Sequence, residues 1–143
     1  MSRITTYQHA FVDAFPTAPE LGVLYVSVEF ATTMHLCMCG CRQEVVAPLD
    51  PTDWTAQFDG RSVSLAPSIG NWSLPCQSHY FLTRGQVRWA GRWNKTQIDA
   101  GRARDTAAKE RLYGQAKHTS STDLPGATRP GWLRRWWAKT RGQ

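Results

Sequence analysis

The chain has 143 residues, 41% of them hydrophobic, and a formal net charge of +6. That length fits one domain with a modest core, and no stretch is long and apolar enough to span a membrane. The charge is unevenly spread: residues 1–80 hold three Arg/Lys and seven Asp/Glu, a balance of −4, whereas residues 81–143 hold fourteen and four, a balance of +10. This asymmetry bears on association rather than on fold.

Residues 1–20, with Pro16 and Pro19, read as an irregular lead-in. They lack the basic start and apolar block of a secretory signal, so the expected location is cytoplasmic, where thiols stay reduced. Leu21 to Phe30 is β-branched and aromatic and reads as a strand, with Thr32 to Cys37 continuing it or forming a second. Glu44 to Leu49 is a short strand ended by Pro48, and Asp50 to Asp53 is a turn. Trp54–Phe58 and Arg61–Leu65 flank Asp59-Gly60, a strong hairpin signal. Pro67 to Trp72 reads as a loop by composition. His79–Thr83 and Gln86–Trp89 form a second hairpin about Arg84-Gly85. Five to seven short strands between residues 21 and 90 predict a mainly β fold, a small sheet or barrel.

The character then changes. Residues 96–117 are rich in Ala, Arg, Lys and Glu and predict a helix capped by Thr96, with Asp105 and Lys109 as an i,i+4 pair. Its apolar face (Ile98, Ala103, Ala107, Leu112) is thin, which predicts a weakly docked C-terminal extension; the class becomes α+β if it packs. Residues 118–131 read as a linker of Ser, Thr, Pro and Gly. Residues 132–143 carry Trp132, Leu133, Trp136 and Trp137 on one helical face and Arg134, Arg135, Lys139 and Arg141 on the other. Such a tail suits the protein's own surface, an acidic protein partner or a membrane surface, and less well a nucleic acid.

Four cysteines divide three plus one: Cys37, Cys39 and Cys41 within five residues, and Cys76 far along the chain. A disulfide between cysteines two apart is strained. Soft thiolates instead suit one tetrahedral Zn2+. On a straight strand the three sulfurs would lie in a row, so the backbone must bend, and Gly40 permits this. The expected ligands are Cys37, Cys39, Cys41 and Cys76, with His35 and His79 as alternates for one thiol. Residues 1–95 then form a zinc-binding β-rich domain.

Next to the fourth cysteine lies a set of residues suited to acyl transfer. A serine needs a base to become a nucleophile, and His79 follows Ser68 by eleven residues. Donors must also face the developing oxyanion; Ile69, Gly70 and Asn71 are the candidates. Asp53 and Asp59 are candidates to orient His79.

His35 to Cys41 (H-x-C-x-C-G-C), Ser64 to Trp72 (S-L-x-P-S-I-G-N-W), Pro75 to Tyr80 (P-C-x-S-H-Y) and Gly85 to Trp89 (G-x-V-x-W) resemble a bacterial domain-of-unknown-function family of small proteins. The resemblance spans about residues 20 to 90, with Met38 standing where proline is expected and Arg42 where glycine is expected. Members of that family are encoded beside ubiquitin-like proteins and E1- and E2-like enzymes. The resemblance implies a place in a bacterial ubiquitin-like conjugation pathway, as a zinc-containing peptidase or esterase that trims or removes the modifier. It implies Ser68 as nucleophile, His79 as base, and the ubiquitin-like protein with its E1- and E2-like enzymes as partners. The competing readings are a non-catalytic, zinc-stabilised adaptor for that pathway and a nucleic-acid binder acting through the basic tail.

Overall fold

The computed structural model describes residues 2–119. The described residues up to Lys109 form one compact unit. Beyond it, residues 110–119 are described and are helical. Residues 120–131 of the expected linker, and the whole Trp-rich tail over 132–143, lie outside the described residues.

The compact unit is built on two four-stranded sheets. β1 (Gln8–Phe11), β2 (Val23–Ser27), β3 (Thr32–Leu36) and β4 (Glu44–Pro48) form one; β5 (Thr55–Phe58), β6 (Val63–Gly70), β7 (His79–Thr83) and β8 (Gln86–Trp89) form the other. All neighbours are antiparallel except β1, which lies parallel to β2 in the register Gln8↔Val23. A helix, α1 (Lys95–Thr119), follows.

Both expected hairpins form. β5 and β6 turn at Asp59, whose carboxylate accepts the N–H groups of Arg61 (2.8 Å) and Ser62 (2.7 Å). β7 and β8 pair from Tyr80↔Trp89 to Thr83↔Gln86. Two expectations are corrected. The lead-in holds a strand, β1, whose residues Gln-His-Ala-Phe lack apolar alternation and are ordered by pairing with β2. The supposed loop at Pro67 is the second half of β6, where a register shift between Leu65 and Ile69 accommodates the proline.

The core lies between the sheets. Leu24 and Val26 of β2 and Ala47 of β4 meet Val63, Leu65 and Ile69 of β6 and Tyr80 and Leu82 of β7. The chain also stitches the sheets together. Thr6 bridges Gln86 of β8 just before β1 enters the other sheet, and Leu49 bridges Trp54 between β4 and β5. Leu82 is fully buried, so Leu82→Ala should lower stability by about 2–5 kcal/mol through lost burial and a residual cavity. Chemical denaturation would show a lower midpoint at an unchanged slope.

The start of α1 is fixed by reciprocal bonds that satisfy free N–H groups: Asn94 Oδ1 accepts from Gln97 N–H (2.8 Å), and Gln97 Oε1 accepts from Asn94 N–H (2.9 Å). The cap is therefore Asn94 rather than Thr96. Lys109 Nζ reaches Asp53 Oδ1 at 2.8 Å, a contact to the turn before β5 that helix spacing does not foresee.

Candidate active site and metal centre

The cysteine turn follows β3 directly. Gly40 takes φ 91° and Arg42 φ 62°, both in the left-handed region. Gly40 enters it without penalty; Arg42 enters it at the position where glycine is expected. The resulting bend brings Cys37, Cys39 and Cys41 together with Cys76, which arrives on the loop between β6 and β7.

All four sulfurs lie within 4.8 Å of one another, and none forms a disulfide. A tetrahedron with metal–sulfur bonds of about 2.3 Å has edges of about 3.8 Å. The Sγ separations are 3.4 Å for Cys37–Cys39, 3.8 Å for Cys37–Cys76 and 3.9 Å for Cys41–Cys76. The four thiols thus fit one tetrahedral metal ion. His35 and His79, the alternates, direct their Nε2 atoms elsewhere: to the Tyr80 hydroxyl at 2.8 Å and to Ser68 Oγ at 2.8 Å.

A buried polar network backs the sulfurs. Ser78 Oγ lies 3.0 Å from Cys37 Sγ and accepts from Asn71 Nδ2 at 2.9 Å. Asn71 Nδ2 also points at Cys37 Sγ (3.5 Å) and the Tyr80 hydroxyl (3.3 Å). Tyr80 is fully buried, and burial together with the neighbouring Cys37 pushes its phenol up, so it stays neutral. Burial holds His35 down to about 4, so it too is neutral in its pocket. Burial pushes the Cys37 and Cys39 thiols up. Burial also opposes ionisation of Cys76, but hydrogen bonds from Ser78 and from the Cys39 and Cys37 thiols outweigh it and bring Cys76 down to about 7. A bound cation reverses this crowding by favouring every thiolate. Partners behind the ligands commonly set metal affinity. Asn71→Ala should therefore weaken metal binding about 10- to 100-fold, measured by competition with a chromogenic chelator.

Ser68 and His79 meet on the outer face of the second sheet. Gly70 pairs with His79 across β6 and β7, and strand alternation puts Ser68 on the same face as Gly70. His79 Nε2 lies 2.8 Å from Ser68 Oγ. Its Nδ1 lies 2.9 Å from the Gly91 carbonyl, which can only accept, so Nδ1 carries the proton and Nε2 is the acceptor facing the serine. Asp53 and Asp59, the candidates to orient His79, are engaged elsewhere, with Lys109 and with the β5–β6 turn. A backbone carbonyl stands in the position of the carboxylate, and backbone atoms leave no trace in residue types.

The three oxyanion candidates are placed differently. Asn71 N–H donates to the Ser78 carbonyl at 2.8 Å, and its side chain faces the thiols. Alternation along this ladder then directs the Ile69 N–H to Tyr80 and turns the Gly70 N–H away from β7. That is the side on which the Ser68 carbonyl accepts from Trp54 Nε1 at 3.4 Å. Gly70 is also required by close approach, because a Cβ there would lie 2.5 Å from Trp72 Nε1. The Trp72 ring packs against His79 with centroids 5.0 Å apart.

A family model described as "Bacterial ubiquitination-like system serine protease (BubE)" matches residues 11–90. The chain belongs to the BubE family. The matched span holds all four cysteines, Ser68 and His79, and ends one residue before Gly91. The family resemblance read from the motifs is thereby borne out, as is the mainly β fold with a helical extension. No curated protein and no solved structure matches the chain. Among the described residues, no helix is long and apolar enough to cross a membrane.

Proposed function

We propose that this BubE-family protein is a serine-type hydrolase that cleaves the amide or ester bond at the C-terminus of a ubiquitin-like modifier, maturing its precursor or removing it from a target. The observation that carries this reading is the 2.8 Å contact between Ser68 Oγ and His79 Nε2. An adaptor without catalysis has no need of that contact.

The chemistry follows from the tautomer. As Ser68 Oγ attacks the scissile carbonyl carbon, His79 Nε2 takes its proton and the carbonyl π electrons move onto oxygen. The Gly91 carbonyl holds the Nδ1–H and steadies the imidazolium. The Gly70 N–H, free of the β7 ladder, is the donor proposed for the oxyanion. Collapse expels the amine or alcohol, which leaves with the proton from Nε2, and an acyl-Ser68 ester remains. Water then attacks the ester, gives its proton to Nε2, and Ser68 regains a proton as the acid departs.

The metal is proposed to be zinc, held by Cys37, Cys39, Cys41 and Cys76. With four protein ligands it keeps no open position, so its contribution is structural. It cross-links the cysteine turn to the segment between Gly70 and His79, which fixes the two strands carrying the nucleophile and base. The proposed partners are the ubiquitin-like protein and its E1- and E2-like enzymes, and the proposed location is the cytoplasm. The test is incubation with the ubiquitin-like precursor encoded in the same gene neighbourhood, with products read by intact mass. A single new C-terminus formed by the wild type, and absent with Ser68→Ala or His79→Ala, supports the reading. Binding without cleavage overturns it in favour of an adaptor.

A further inference from the structure

The Gly91 carbonyl is a weak constraint on a catalytic base. It is one hydrogen bond from an exposed glycine, with nothing within 4 Å of the position a Cβ would occupy. Once Ser68 Oγ leaves Nε2 to attack, the bond at Nδ1 alone would let the ring swing about it. Yet His79 is 6% exposed, and three aromatic rings surround it. Two of these, Trp72 and Phe81, belong to the family-matched span. The third is Trp93, beyond that span, which meets the imidazole edge-on with centroids 5.2 Å apart and planes at 72°. Trp93 also stacks on Trp72 at 5.4 Å and 19°, so the two indoles form one wall.

The wall has a backing. Gly101 of α1 faces Trp93, and a Cβ there would lie 3.1 Å from the ring carbon Cζ3. The helix is held in turn by the Asn94–Gln97 cap and by the Lys109–Asp53 ion pair. Arg92 donates to the Cys76 carbonyl at 3.5 Å, which ties the same segment to the cysteine loop. The short stretch from Gly91 to Asn94 therefore supplies the carbonyl for Nδ1, the ring against the imidazole, and the start of the helix behind that ring.

We propose that Trp93, seated against Gly101 of α1, is a positioning residue that holds the His79 imidazole toward Ser68, so that the first turns of α1 are part of the catalytic apparatus. This inference rests on the proposed hydrolase reading. Packing limits rotation of the ring while Nε2 gains and loses its proton. Gly101 is a glycine inside a helix, at a cost in helix propensity, and the close approach of the indole accounts for it.

The test uses the full-length protein with its metal and a fluorophosphonate probe, which reports on Ser68 reactivity without any substrate. Trp93→Ala should slow phosphonylation of Ser68 by about 10^2-fold, the scale of a misplaced catalytic group. Trp93→Phe, which keeps an aromatic wall, should restore most of the rate. Gly101→Leu, which favours the helix but displaces the indole, should slow it as Trp93→Ala does. NMR supplies a second readout: the His79 Nδ1–H resonance should be sharp and slow to exchange in the wild type and lost in Trp93→Ala. Wild-type rates in both Trp93→Ala and Gly101→Leu, with the Nδ1–H signal retained, overturn the inference while leaving the hydrolase reading intact. Absence of any Ser68 labelling in the folded wild type overturns the hydrolase reading and the inference with it. If Trp93→Ala does not fold, Gly101→Leu decides.

Discussion

Replacing Ser68 with alanine should lower kcat/KM for cleavage of the modifier precursor by about four to six orders of magnitude, the scale seen when a serine nucleophile acting with its histidine is removed. The substitution deletes one half-buried oxygen, so stability and metal content should stay close to wild type. His79→Ala should give a loss of similar size, and the double variant should be little worse than either single one, because in the proposed mechanism the two side chains act as a unit. That non-additivity is diagnostic. Two residues that merely shape a binding surface would show roughly additive losses in affinity. Single-turnover cleavage followed by intact mass measures all three variants.

Removing the metal should have the larger structural effect. Structural zinc supplies about 10–16 kcal/mol of folding free energy in zinc-finger peptides, whereas whole domains are stable by about 5–15 kcal/mol. Loss of the ion should therefore leave little cooperative structure. Cys37 is the most consequential ligand. It is fully buried and lies beside Cys39, Cys76 and Ser78 at once. Cys37→Ser should abolish the cooperative thermal transition, and a strong chelator should do the same to the wild type. Activity should disappear with the transition rather than before it, because an ion held by the four cysteines would organise the loop between β6 and β7 rather than touch the substrate. Metal stoichiometry by elemental analysis should be one per chain.

The legible parts of this protein are those whose chemistry resides in side chains. Four thiols divided three plus one have few stable arrangements, so the cysteine cluster could be read from Cys37, Cys39, Cys41 and Cys76 alone. The hairpins were legible because Asp59-Gly60 and Arg84-Gly85 mark turns locally. β1 was not, because a parallel pairing between Gln8 and Val23 is decided by tertiary packing rather than by the four residues of the strand. The second half of β6 was hidden by Pro67, whose missing N–H normally argues against a strand. Ser68 and His79 were placed by motif and spacing, but the group orienting His79 was not, since a carbonyl belongs to every residue. Trp93 lies past the matched motifs, and its role depends on Gly101 being opposite it. The helix was expected to dock weakly on its apolar face. Gly101 of the helix lies against Trp93, and Lys109 pairs with Asp53.

The most direct measurement of the central claim is capture of the covalent intermediate. The wild type is mixed with an activated ester of the modifier's C-terminal tail, stopped with acid during turnover, digested and mapped by mass spectrometry. The account predicts that the acyl group is found on the peptide containing Ser68 and is absent in Ser68→Ala. An acyl group found on Cys76 or another thiol of the cluster, or none at all while the product accumulates, would contradict it.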